Sequence, residues 1–338
     1  MGLQQDQAKV AAGSPLVDRF ARISPFAVLV AAMALTGANV PIGKQVALDF
    51  PLLFLLTFRF VIACLALALM ARPSDWSQMR RVAPRHGIAI AMLALFGSIL
   101  FMAFLLEGTK RTTATSAGII TATLPAVVAI LAAIFLQQRL RGWGLFAIGC
   151  AMAGLIVTQL GGWNGNPTSS ADLSHAMIGN LLVLAAVLCE ALFVLMSARV
   201  SAAVSPIALS FLVSAASLVL ALPLTILHVA ANGWPGFTAA SLGLAIWYAL
   251  VASVFVTVLW YAAVSRTPAW QAGLATAALP IAALIGGVVM FGETLDRWQL
   301  LGGALVIAAI GIGALQGDVS QPPMETAENQ PSKRGPRL

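Results

Sequence analysis

Apolar residues run along the chain in ten long blocks, at 25–47, 51–71, 87–107, 113–136, 143–161, 176–198, 204–228, 239–264, 269–291 and 298–316. Each is near the roughly 20 residues that cross a hydrocarbon core as a helix. The connections are short, and none has room for a soluble domain. The longest polar stretches are Arg72–His86, the Gly/Asn/Ser-rich Gly161–His175, and a Pro/Gln/Glu-rich tail from Gly317. The tail is expected to be disordered. The pattern predicts an all-α integral membrane protein with ten transmembrane helices.

The blocks repeat. Lys110 to Pro125, KRTTATSAGIITATLP, returns at Ser265 to Pro280 as SRTPAWQAGLATAALP, with nine of sixteen positions identical and each pair 155 residues apart. The offset holds without a gap: Lys44 maps to Arg199, Pro51 to Pro206, Leu65 to Leu220, Ser98 to Ser253, Leu140 to Leu295 and Trp143 to Trp298. The two halves therefore read as copies of one five-span unit. Because five is odd, the second copy enters the membrane upside down, an inverted-topology repeat. The expected organisation is a cytoplasmic segment at 1–24, a first repeat at 25–161, an outer loop at 162–175, a second, inverted repeat at 176–316, and a cytoplasmic tail at 317–338.

Composition agrees. Of 338 residues, 60% are hydrophobic and 9% charged, with mean hydropathy +0.93; soluble domains carry about a quarter charged residues. The net charge of +7 sits at the ends of apolar blocks, as a bilayer protein requires, and does not point to nucleic acid. With the N-terminus inside, fourteen of the nineteen Lys and Arg face the cytoplasm and four face out, Arg59 lying within a span. Both termini are therefore expected inside. Residues 1–22 lack the apolar core of a signal peptide. Cys64, Cys150 and Cys189 lie within apolar blocks without paired spacing and read as small core residues. His86, His175 and His228 are scattered at span ends and no HExxH occurs, so neither enzyme chemistry, a metal nor a cofactor is expected.

Several motifs together resemble one family. They are the small-residue runs ending in Leu-Pro in spans 4 and 9, Lys44 at the end of span 1, Arg59-Phe60 in span 2, and Gly292-Glu293-Thr-Leu followed by Gln299. Over about residues 25–316 the chain is similar to the EamA type of the drug/metabolite transporter superfamily, and within it to bacterial exporters of amino acids, aromatic ones included. The first copy departs from the pattern, carrying Gln137-Gln138 where Gly-Glu is expected. The resemblance implies an inner-membrane carrier of small organic metabolites working by alternating access; exporters of other metabolites or drugs, or a channel, are the alternatives. Its partners would be an amino acid-like substrate and the lipid bilayer, and nothing in the sequence calls for more than a monomer.

Candidate residues follow from two lines. Pro125 and Pro280 cannot donate to the carbonyls of Thr121 and Thr276, so spans 4 and 9 are expected to bend there and each leave a carbonyl free. Gly118 and Gly273, with Ala114 and Ala269, form small faces on which the two spans are expected to meet. Thr112 and Thr267 suit N-caps and Pro268 a first helical position. Charges inside a bilayer are costly and mark function by default: Arg59 and Glu190 qualify. Their mates are Ser214 and Leu35, so neither obeys the repeat. Glu190 is the candidate partner of a substrate amine; Arg59 reads more simply as half of a structural pair. The family resemblance adds a candidate cavity lining in spans 1, 3, 4, 6, 8 and 9, comprising Thr36, Asn39, Ser98, Met102, Thr115, Thr121, Glu190, Tyr248, Trp260, Gln271 and Thr276. Glu107 with Lys110 and Arg111 reads as a surface pair.

Overall fold

The computed structural model describes residues 24–112, 114–138, 142–160, 170–202, 204–292 and 294–315. The side chains of Lys44, Arg85, Ala114, Thr115, Leu160 and residues 170–174 also lie outside the description. So do Glu293, the N-terminal segment, the tail and most of the expected outer loop.

Ten helices are long and apolar enough to span a membrane, and no strand occurs among the described residues. The first copy comprises α1 (Pro25–Val46), α2 (Leu52–Met70), α3, α4 and α5 (Gly142–Leu160). Helix α3 runs from Pro73–Ala94 through a π-helical segment, Leu95–Leu100, into Phe101–Thr109. Helix α4 is broken into α4a (Ala114–Thr121) and α4b (Leu124–Leu136). The second copy comprises α6 (Ser170–Val200), α7 (Pro206–Asn232), α8, α9 and α10 (Arg297–Leu315). Helix α8 passes from Ala239–Leu250 through π-helical Val251–Phe255 into Val256–Val264. Helix α9 is broken into α9a (Ala269–Ala275) and α9b (Ala278–Phe291).

Three special backbone features recur at the repeat offset. Breaks, π segments and the left-handed caps at Gln137 (φ 52°) and Gly292 (φ 66°) all come in mated pairs. The cap explains one sequence anomaly. A left-handed position suits glycine and strains a residue with a Cβ, so the second copy fills it without cost while the first holds Gln137 there. The following Gln138 finds separate use: its Oε1 accepts from the Ala269 amide at 3.0 Å, joining the end of α4b to the start of α9a.

Helix bounds differ from expectation at three places. The polar stretch Arg72–His86 is no loop: it forms the first half of α3. Pro73 opens it, and the Arg72 amide donates to Asp75 Oδ2 at 2.9 Å. Asp75 and Met79 are buried, a helical spacing that hydropathy alone hides. Asp75 Oδ1 also accepts from Ser205 Oγ at 2.6 Å, tying α3 to the start of α7. Helix α6 begins at Ser170, inside the stretch expected to be an outer loop. Thr267 does not cap α9a; its hydroxyl donates back to the Ala263 carbonyl at 3.0 Å, and Pro268 holds the N-cap position instead. Thr112, in the first copy, donates to Asn180 Oδ1 at 2.6 Å.

The main core lies where the copies meet and contains Phe26, Leu29, Leu93, Val128, Val194, Leu209, Trp260, Tyr261 and Leu274. Exposed side chains such as Leu69, Ile88, Val289 and Leu315 cover the rim, as a helix bundle surrounded by lipid requires.

Candidate functional site

The breaks in α4 and α9 fall at mated positions and share a threonine whose hydroxyl donates to the mated glycine, Gly118 or Gly273. In α4 the Thr123 amide turns back to the Ile120 carbonyl at 3.0 Å, and Thr121 Oγ1 donates to the carbonyls of Ala117 and Gly118, 3.0 Å each. In α9 the amides of Thr276 and Ala277 reach Gly273 and Leu274 at 3.2 and 3.1 Å, and Thr276 Oγ1 donates to Gly273 at 2.6 Å. Each proline then stands in the first turn of a restarting helix, where no amide is needed. The carbonyl of Thr276, expected to be free, accepts from the Leu279 amide at 3.1 Å. In α9 a three-residue turn thus replaces the simple proline kink and re-satisfies that carbonyl.

Between the breaks lies a cavity of about 260 Å³. Helix α4 contributes Gly118, Thr121, Ala122, Leu124 and Pro125, and α9 contributes Thr276, Ala277, Leu279 and Pro280. Met33 of α1, Phe101 and Leu105 of α3, Leu155 and Gln159 of α5, and Val187 and Glu190 of α6 complete the wall. The wall is mostly apolar, and its polar side chains are Thr121, Gln159, Glu190 and Thr276. The carboxylate of Glu190 makes no hydrogen bond or ion pair with any described residue. A crevice of about 390 Å³ shares Leu105, Gly118 and Thr121 with the cavity and leads past Met102, Leu106 and Ala117 to Thr109, at one end of the bundle.

The other end is shut. There α4b packs on α9a: a Cβ on Gly273 would stand 2.8 Å from Val128 Cβ and Cγ1, closer than any real side chain tolerates. Gln138 holds Ala269, and Arg199 Nη2 donates to the Phe135 carbonyl at 2.9 Å. The mated pair, α4a and α9b, has no comparable packing, and Gly118 meets the side chain of Gln159 instead. Spans 4 and 9 therefore meet at one end only.

Two inverted copies, paired helix breaks and a cavity between them are a transporter architecture, and the two halves match one family separately. The EamA-like transporter family covers residues 24–160 and again residues 177–313. The chain belongs to this family. It is 29% identical over 308 residues to the uncharacterized transporter YetK of Bacillus subtilis, covering 90% of each chain. A probable terminal-alkyne amino-acid exporter of Streptantibioticus cattleyicolor is 26% identical over 252 residues, 75% of this chain and 80% of that one. A crystal structure of a protein at 16% identity shares the fold, with TM-score 0.69 over 86% of this chain and 96% of that chain.

Within the EamA repeats, the cavity gathers Gly118, Thr121, Pro125, Glu190, Thr276 and Pro280 of the sequence candidates, and Met102 lines the adjoining crevice. The other candidates have partners elsewhere. Thr36 Oγ1 donates to its own helix at Ala32 (2.9 Å). Asn39 Nδ2 reaches the Tyr248 carbonyl at 3.2 Å, and the Tyr248 ring covers Gly43; together they join α1 to α8. Ser98 accepts from Ser217 at 3.3 Å. Trp260 is buried, stacks on Phe193 with centroids 6.3 Å apart and donates to Ser197 at 3.1 Å. Gln271 Nε2 donates to the Gly313 carbonyl at 3.0 Å. Their polar atoms bond within or between helices, and none of these residues is in the wall of this cavity. The side chain of Thr115 is outside the described residues. Arg59 is not paired with Glu190: its guanidinium lies 4.8 Å from the centre of the Phe60 ring, and its Nε is buried without a partner. Glu107 pairs with Lys110 and Arg111 at 2.7 and 3.4 Å on the surface.

Gln159 is the polar cavity residue that the sequence reading passed over. It stands two residues from the end of an apolar block, where a polar side chain looks like an ordinary span terminus. Its repeat mate is Ala314, and that break in the match was the available signal.

Proposed function

We propose that this protein exports small organic metabolites, amino acids among them, across a bacterial inner membrane by alternating access, with both termini in the cytoplasm. One observation carries the reading: a cavity flanked by two mated helix breaks, sealed at one end, with an unpartnered carboxylate in its wall. The bias of Lys and Arg puts the sealed end on the cytoplasmic side, so the cavity faces outward in this conformation. Exchange of packing from α4b–α9a to α4a–α9b would open it inward. Glu190 supplies an unpartnered carboxyl group in a poorly hydrated wall, where a substrate ammonium would be the partner that holds it ionised. The likeness to a probable amino-acid exporter supports an amino acid as the cargo.

Counterflow in proteoliposomes tests the reading. A carrier loaded with unlabelled amino acid accelerates uptake of the labelled one, because substrate returns the empty site. Uptake indifferent to the internal load, with unsaturable flux, would mark a channel and contradict the proposal.

A further inference from the structure

We infer that the cavity has two chemical poles, Glu190 for the substrate's ammonium and Gln159 for its carboxylate, and that Gln159 is the residue that separates α-amino acids from simple amines. The inference rests on the transport reading above and names the substrate class of that site.

Few donors face the cavity. A carboxylate entering the cavity loses its water and needs N–H or O–H groups in return. No Lys, Arg or His lines the wall. The two threonines are committed, Thr121 donating to Ala117 and Gly118 and Thr276 to Gly273, so each presents only lone pairs. At the breaks the amides of Ala122, Thr123 and Val127, and of Thr276, Ala277 and Leu279, are bonded to carbonyls, which leaves first-turn amides such as those of Leu124 and Ala126 as the backbone's share of the donors. Pro125 and Pro280 have no amide to give. The Gln159 amide has two N–H bonds, and its one hydrogen bond, to Thr158 Oγ1, is long at 3.4 Å. It is the side chain in the wall with a donor to spare.

Placement supports the same assignment. The Gln159 amide lies against Gly118, where even a Cβ would collide with it, so the glycine is what admits a polar group to this part of the wall. The restarting helices α4b and α9b begin at the cavity, and their N-terminal dipoles favour negative charge there. Glu190 provides the opposite pole. Both poles stand where the other copy has an apolar residue, Leu35 for Glu190 and Ala314 for Gln159.

The test compares an apolar amino acid with its decarboxylated amine, phenylalanine with phenethylamine, as competitors of transport by the full chain in proteoliposomes. Gln159→Met keeps the volume and removes the donor. The expected result is a loss of about tenfold or more in affinity for phenylalanine with affinity for phenethylamine unchanged, which also shows the variant folded. Gln159→Asn should recover part of the loss. Equal weakening of both compounds, or no change in their ratio, would overturn the inference and leave the transport reading standing. Failure of the unaltered protein to take either compound would instead overturn the reading on which the inference rests.

Discussion

The two halves of this protein share a frame and differ in chemistry. Helix breaks at Thr121 and Thr276, π segments at Leu95–Leu100 and Val251–Phe255, and left-handed caps at Gln137 and Gly292 recur at the 155-residue offset. Two polar side chains of the cavity do not: Glu190 is mated with Leu35, and Gln159 with Ala314. The halves differ in packing as well, since α4b lies on α9a while α4a and α9b flank the cavity. The difference teaches a division of labour. Under the proposed function, backbone irregularities that serve both directions of opening are duplicated, and groups that meet an asymmetric substrate occur once.

The strongest challenge to that division is Glu190→Gln, which keeps shape and removes charge. Transport of an amine-bearing substrate should fall about a hundredfold, the scale of losing a charged partner in a desolvated site, measured as kcat/KM in liposomes. Adding Leu35→Glu should not restore it, because Leu35 is partly exposed on the bundle rim; restored transport would mean that the halves are chemically interchangeable.

A smaller effect separates the mated glycines. Gly273→Ala forces a methyl against the rigid Val128 side chain at the sealed end and should cost about 1–3 kcal/mol of stability. Gly118→Ala meets the movable end of Gln159 and should cost less. Thermal unfolding of the purified variants gives the order, and equal losses would show the two ends packed alike.

The smallest effect concerns the caps. Gln137→Gly should stabilise by about 0.5–1 kcal/mol, the left-handed strain relieved less the added chain entropy. Unfolding midpoints compared with those of Gly292→Gln, which should lose a similar amount, check whether the cap is truly shared.

Much of this frame was legible in the sequence. Long apolar blocks announce spanning helices, and one constant offset announces the inverted copy. Leu-Pro in spans 4 and 9 marked the breaks, although the turn that satisfies Thr276 was not foreseeable from proline chemistry alone. The helical first half of α3 was masked because a scan for hydropathy passes over a polar segment whose buried positions, Asp75 and Met79, are one turn apart. The π segments left no trace, since they depend on how α3 and α8 pack. The cavity was half legible: Glu190 stands out as a charge in an apolar run, whereas Gln159 hides near a span end. Trp260, Gln271 and Asn39 looked equally suitable, and only packing shows that their polar atoms hold Ser197, Gly313 and Tyr248.

Alternating access between the copies is most directly tested by two distances measured together. One pair of spin labels at Leu136 and Ser265 spans the sealed end, and the mated pair at Phe291 and Lys110 spans the other. On adding saturating substrate to the protein in bilayers, the account expects a second population in which the first distance lengthens as the second shortens. Two distances that stay fixed, or that lengthen and shorten together, would contradict it.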